Sequence, residues 1–241
     1  MDKPTFVFSL GAWLTPIVFD AVRDRLNTLG YPSECPAHPS IGAEPPSLTL
    51  EDDVASMRRV LTTLADEGKD IVLVAHSYGG VVASAASEGV VKRVRAESGK
   101  PGGIVKMVYL ASFPLDKGQS LLGVLGGDYL PWMKVEGDYI HADGTGSWED
   151  LTLEQQKKWN HTTMHISRAV FSGEATYEPW HDVPCSYIIC EQDQALPPAL
   201  QELFSSKIGG PDTTHRLPSS HSPFLSMPDR LVGVLGEIVK V

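Results

Sequence analysis

The sequence predicts an α/β protein with a mainly parallel sheet of about six strands and helices on both faces. Two observations carry this. Short apolar runs alternate with amphipathic stretches along most of the chain, as in "TFVFSL" (5–10), "DIVLVAHS" (70–77), "GIVKMVYLAS" (103–112) and "CSYIICEQD" (185–193). Strand–helix alternation of this kind implies crossover connections and parallel pairing. The runs at 71–75 and 104–110 are also nearly unbroken rather than alternating, which suits central strands covered on both faces.

Taken in order, "TFVFSL" is the first strand. "PIVFDAVRDRLNTLG" (16–30) follows with apolar residues at helical spacing, Pro16 in the first turn and Gly30 as a stop. A weak strand is expected around "YPSECPA". "SLTLEDDVASMRRVLTTLADEG" (47–68) reads as a helix with acids in its first turn and Gly68 at its end. The strand "DIVLVAHS" runs into a helix beginning "YGGVVASAASEGVVKRVRAES". "GIVKMVYLAS" and "CSYIICEQD" are the next strands. "TTHRLPSSH" (213–221) is a weaker one, and "PFLSMPDRLVGVLGEIVKV" closes the chain as a helix.

Residues 113–182 break the rhythm. The stretch is rich in glycine and aromatics and holds four of the five tryptophans, Trp132, Trp148, Trp159 and Trp180. One or two short helices are expected in "TLEQQKKWNHTTMHISRAVFSG". The segment lies between two sheet strands, so it reads as a mostly helical insertion over one sheet end. The domain division is therefore a core of residues 1–112 and 183–241 with a cap of residues 113–182.

Composition narrows the function. The 241 residues suffice for one large core, and 42% apolar with 21% charged residues is ordinary for a globular protein. A net charge of −10 argues against nucleic acid or an anionic membrane surface as partner. Cys35, Cys185 and Cys190 make no metal-ligand spacing and read as small buried thiols, which fits a reducing, cytoplasmic compartment. The N-terminus lacks the apolar length and cleavage site of a secretory signal, and no window reaches the length of a membrane span. His161 and His165 stand four apart, but no third ligand is near, so no metal site is expected.

The chemistry gathers at "AHSYGG" (75–80). A small-x-Ser-x-Gly pattern at a strand end is the signature of a tight strand-to-helix turn that holds a serine hydroxyl at the carboxyl edge of the sheet. The backbone at the serine is strained, so its neighbours two places away must be small. Ala75 and Gly79 meet that need, and Gly80 lets the helix start pack closely. A serine hydroxyl needs a base, and the base an orienting carboxylate. His221, after the last strand, and Asp193, after "SYIIC", both fall on the edge that carries Ser77. The order Ser77, Asp193, His221 completes a catalytic triad. Glu191 is the backup acid. Asp182 and Asp212 precede strands and belong to the other edge, while His76 reads as a packing or pocket-edge residue and His215 as structural. The backbone N–H of Tyr78 and one from the loop "SLGAWLTP", with Ala12 the best placed, form the oxyanion hole. Trp13, Phe113, Trp132, Trp159 and Trp180 are expected to line an apolar pocket.

With these residues in place the chain resembles the esterase and hydroxynitrile-lyase branch of the α/β-hydrolase superfamily, in its small, cofactor-free fungal and bacterial members. "FSLGAW", "AHSYGG", "CEQDQALP" and "HSPFLSMPDRL" carry the resemblance. The sequence departs from it at Leu10-Gly11, where many members have His-Gly, and at Ala75, where glycine is usual. The resemblance implies an α/β-hydrolase fold, the triad Ser77–His221–Asp193, oxyanion donors at Ala12 and Tyr78, a mostly helical cap and no cofactor. The expected reaction is hydrolysis of a small to medium apolar or aromatic carboxylic ester, lactone or thioester through an acyl-enzyme on Ser77. The alternatives are a lyase of the hydroxynitrile-lyase type, for which Lys134 is the one candidate cap lysine, and a receptor-like binding protein with slow turnover. The sequence leaves room for a homodimer.

Overall fold

A computed structural model describes residues 3–240 of the chain. Its first half alternates strand and helix, with two helices in the last crossover: β1 (Thr5–Ser9), α1 (Asp20–Thr28), β2 (Ser33–Glu34), α2 (Leu50–Asp66), β3 (Asp70–His76), α3 (Gly79–Ser87), α4 (Lys92–Glu97) and β4 (Gly103–Leu110). The segment after β4 holds α5 (Leu121–Val124), β5 (Met133–Glu136), β6 (Tyr139–Ala142), α6 (Leu153–Asn160) and β7 (Ile166–Ser167). The chain then returns with β8 (Cys185–Cys190), α7 (Pro198–Ile208), β9 (Thr214–Leu217), α8 (Pro223–Ser226) and α9 (Pro228–Ile238).

The main sheet has six strands in the order β2-β1-β3-β4-β8-β9, and every pair is parallel. Side chains of successive strand residues point to opposite faces, and both faces are buried. Val7, Leu73, Met107 and Tyr187 join a core with Met57 and Leu61 of α2 and Val82 of α3. Their neighbours Phe8, Val74, Val108 and Ile188 join the other core with Leu26 of α1 and Leu231 and Leu235 of α9. This double burial explains why β3 and β4 are unbroken apolar runs.

After β1 the chain pairs β2 on one side, then crosses to lay β3 on the other. That reversal opens a crevice at the carboxyl ends of β1 and β3, the usual ligand position in an open parallel sheet. The loops at residues 10–14 and 77–79 meet there.

Two long helices expected from the sequence are each divided. The stretch after β3 stops at Ser87, turns through Gly89 at a φ of 75°, and resumes as α4. The last helix breaks at Met227, where Pro228, lacking an N–H, starts α9 afresh. The insertion contains, beside its short helices, an antiparallel sheet β5-β6-β7 that the sequence reading did not anticipate. Its β5–β6 hairpin turns on Gly137-Asp138, with Gly137 at a φ of 62° in the position where a two-residue loop needs a positive φ. All three cysteines are buried free thiols.

Candidate active site

Ser77 leaves β3 with a φ of 52°, a left-handed backbone that a non-glycine residue adopts only when its surroundings impose it. They do so here. The Ser77 carbonyl accepts from Ser112 Oγ at 2.8 Å, and the Ser77 N–H donates to Leu110 O at 3.4 Å. A Cβ on Gly79 would strike the carbonyl oxygens of Ser9 and Leu10, and one on Gly80 would strike Ser112 Oγ. These glycines let α3 pass the end of β1 and the loop after β4 at backbone contact.

His221 lies in the turn between β9 and α8, and Asp193 in the turn after β8. The Nδ1 of His221 donates to Asp193 Oδ2 at 2.6 Å, and both side chains are buried. The Asp193 carboxylate is fully engaged. Its Oδ1 accepts the N–H groups of Ala195 and Leu196 at 2.9 and 2.8 Å, and Oδ2 also accepts from Gln201 Nε2 at 2.9 Å. Gln201, on α7 and fully buried, further donates to Leu196 O at 2.7 Å and accepts from Cys190 N at 3.0 Å. It locks the acid loop, and sequence reasoning missed it.

His76 packs beneath the base. Its ring centroid is 4.5 Å from that of His221, and its Nε2 donates to the His221 carbonyl at 2.9 Å. Burial pushes its pKa well below the ordinary histidine value, so it stays neutral, with Nδ1 the bare nitrogen against Gly11. Of the three residues expected to form a triad, Asp193 and His221 are joined by a hydrogen bond, and Ser77 lines the same cavity as His221.

That cavity opens to solvent. Ala12 and Tyr78 line it, and among the described residues neither backbone N–H donates to a protein acceptor. Two free amides beside a serine can receive negative charge on a carbonyl oxygen. Trp13, Phe113 and Trp132 also line the cavity, with Trp13 edge-on to Trp132 at 5.4 Å and its Nε1 donating to Ile140 O of β6 at 2.9 Å. Trp159 and Trp180 do not reach it. Trp159 packs against the α1–α9 core under Lys158, whose Nζ is 5.0 Å from the ring centroid. Trp180 precedes β8, hence the opposite sheet edge, and lies under Lys207 Nζ at 5.4 Å. Their places are filled by Leu125, Leu130, Phe171 and Trp148. No Asp, Glu, Lys or Arg lines the cavity among the described residues. Lys134 is exposed on β5 and paired with Glu136 at 2.6 Å. No group of three His, Cys, Asp or Glu among the described residues is arranged to hold a metal ion.

A serine on a strained strand-to-helix turn, with an aspartate-held histidine from the later loops of a parallel sheet, is the arrangement of a nucleophile-elbow protein. Comparison with known proteins identifies its family. The model of the "Alpha/beta hydrolase family" matches residues 6–234, and the chain belongs to that family. Among curated relatives, the alpha/beta hydrolase nvfD of Aspergillus novofumigatus is 27% identical, with all of both chains aligned. The probable hydrolase R7 of a Phoma species is 28% identical, with 99% of each chain aligned. Among solved structures, polyneuridine aldehyde esterase superimposes with a TM-score of 0.79 at 17% identity, over 98% of this chain and 99% of that one. No helix among the described residues is long and apolar enough to cross a membrane.

Proposed function

We propose that this protein is a serine esterase that cleaves a neutral, apolar or aromatic carboxylic ester, lactone or thioester of small to medium size through an acyl-enzyme on Ser77. Residues 113–182 act as the cap that closes its pocket. The observation that carries the reading is the buried His221–Asp193 pair, 2.6 Å apart, whose His221 lines the cavity that Ser77 and two residues with free amides also line. Relatives named as hydrolases and a structural neighbour named as an esterase support the reaction class.

In this mechanism Ser77 Oγ attacks the ester carbonyl carbon and its proton passes to Nε2 of His221. Asp193 keeps the Nδ1–H tautomer and stabilises the imidazolium. The amides of Ala12 and Tyr78 hold the oxyanion. The alcohol leaves with the proton from His221, which then activates water to release the acid and restore the serine. The uncharged, aromatic walls favour a neutral substrate. Lys134, the one candidate cap lysine for the lyase reading, is exposed and paired with Glu136 as a surface lysine would be, and so lends that reading no support.

The test is hydrolysis of p-nitrophenyl butyrate together with mass spectrometry after reaction with a fluorophosphonate. The expected result is turnover, one adduct on Ser77, and a loss of at least about 10³-fold in kcat for Ser77→Ala. Full activity in Ser77→Ala, or an adduct elsewhere with Ser77 unmodified, would defeat the proposal.

A further inference from the structure

The mechanism leaves a buried carboxylate unused. Asp53, on α2, is fully buried and forms no ion pair with a described residue. A carboxylate taken out of water without a cation is tolerated only when its oxygens are well supplied with hydrogen bonds. Asp53 has three. Ser40 N–H donates to Oδ1 at 2.8 Å, while Ser40 Oγ and the Tyr78 phenol donate to Oδ2 at 2.6 and 2.7 Å.

The third donor is the informative one. Tyr78 lines the cavity, its backbone N–H meets no acceptor among the described residues, and its buried phenol reaches Asp53 on α2. Its peptide plane follows directly on Ser77, whose backbone is strained, and a strained turn holds its geometry only if its neighbours fix it. The phenol–carboxylate bond is such a fixture. The His38 ring packs edge-on to Tyr78 at 5.8 Å, and its Nε2 donates at 3.2 Å to the Leu10 carbonyl, just before Gly11 and Ala12. Both free amides of the cavity are thus braced from behind by one buried polar cluster. The cluster reaches the insertion too, because the Ser40 carbonyl accepts the Ser167 N–H of β7 at 3.2 Å.

We infer that Asp53 is a positioning residue of the oxyanion hole, fixing through the Tyr78 phenol the peptide plane whose N–H receives the developing negative charge. This rests on the reading of Tyr78 as an oxyanion donor.

The experiment compares Tyr78→Phe, Asp53→Asn and the double variant with the wild-type chain. Active sites are titrated with a fluorophosphonate, so that kcat for p-nitrophenyl butyrate is expressed per competent site and misfolded protein does not count. Affinity for a trifluoromethyl ketone, which forms a tetrahedral oxyanion on serine, is measured alongside. Tyr78→Phe is expected to lower kcat about 10- to 100-fold with KM changed less than about threefold. Ketone affinity should fall by a similar factor, and the double variant should be little worse than the poorer single variant, since both act on the one phenol–carboxylate contact. If Asp53→Asn fails to fold, Tyr78→Phe, which deletes a single hydroxyl, decides alone. Variants that keep kcat per titrated site and ketone affinity within about threefold, losing only thermal stability, would overturn the inference while leaving the esterase reading intact. Wild-type chain with no titratable serine would take down both.

Discussion

Gln201 illustrates how much of a site can rest on a residue with no chemical signature. In "PPALQELF" it looks like one more polar position on a helix, and nothing in spacing separates it from Glu202. Packing of α7 against β8 turns it inward, where its amide bonds Asp193, Leu196 and Cys190. Gln201→Ala leaves the buried Cys190 N–H and one Asp193 oxygen short of partners. A loss of about 2–3 kcal/mol in urea unfolding is expected, with a fall in kcat that exceeds any change in KM. His76 and His38 make a second prediction. Burial lowers both pKa values below the ordinary 6.5, and for His38 the charge of Asp53 opposes the shift without cancelling it. Below pH 6.5 the unfolded chain takes up protons that the folded one refuses. Stability conferred by these two groups is therefore complete above that pH and is lost as pH falls towards their folded-state pKa values. The slope is up to about 1.4 kcal/mol per pH unit for each group. Urea unfolding at pH 7.5 and 5.5 measures it, and His38→Asn should make the dependence shallower. The positions of Ser77, Asp193 and His221 after β3, β8 and β9 were legible because chain order and strand ends are properties of the chain itself.

Elements were legible wherever a strand or helix satisfied one period throughout. Helix α3 was read correctly at its start, because glycines at 79 and 80 announce a close approach, and incorrectly at its end, because "SEGVV" keeps an apolar content that hides the turn at Gly89. The sheet β5-β6-β7 was missed since β5 is largely exposed and shows no clean alternation, although the Gly137-Asp138 loop was a usable hairpin signal. Glycines at different places should answer oppositely to substitution. A methyl at Gly79 has nowhere to go against the backbone oxygen of Leu10, 2.5 Å from its Cβ position, so Gly79→Ala should destabilise by about 3 kcal/mol or more or fail to give folded protein. Gly233, exposed on α9 with open space around it, should tolerate alanine and gain about 0.5–1 kcal/mol from the better helix former. Paired thermal melts of the two variants check both signs.

The molecule as a whole makes its pocket between two bodies of structure, the carboxyl edge of the six-stranded sheet and the insertion above it. The loop after β1 supplies Ala12 and Trp13, the elbow supplies Ser77 and Tyr78, and the insertion supplies Trp132, Trp148 and Phe171. With no Asp, Glu, Lys or Arg among the described residues on this surface, a charged substrate would shed its water and find no counterion. A neutral p-nitrophenyl ester should therefore exceed a carboxylate-bearing ester of equal size by at least about 100-fold in kcat/KM, and equal rates would contradict the assignment of this cavity as the substrate site. The sequence by itself determined the parallel α/β layering, the strained serine turn, and the edge on which Asp193 and His221 stand, because period and chain order are local properties that survive any packing. Only the tertiary structure decided that Trp148 faces the cavity while Trp159 and Trp180 do not, and that Asp53 turns inward to Tyr78 and Gln201 to Asp193. Those outcomes depend on which face of each element meets its neighbour, a quantity fixed by contacts between residues far apart in the chain.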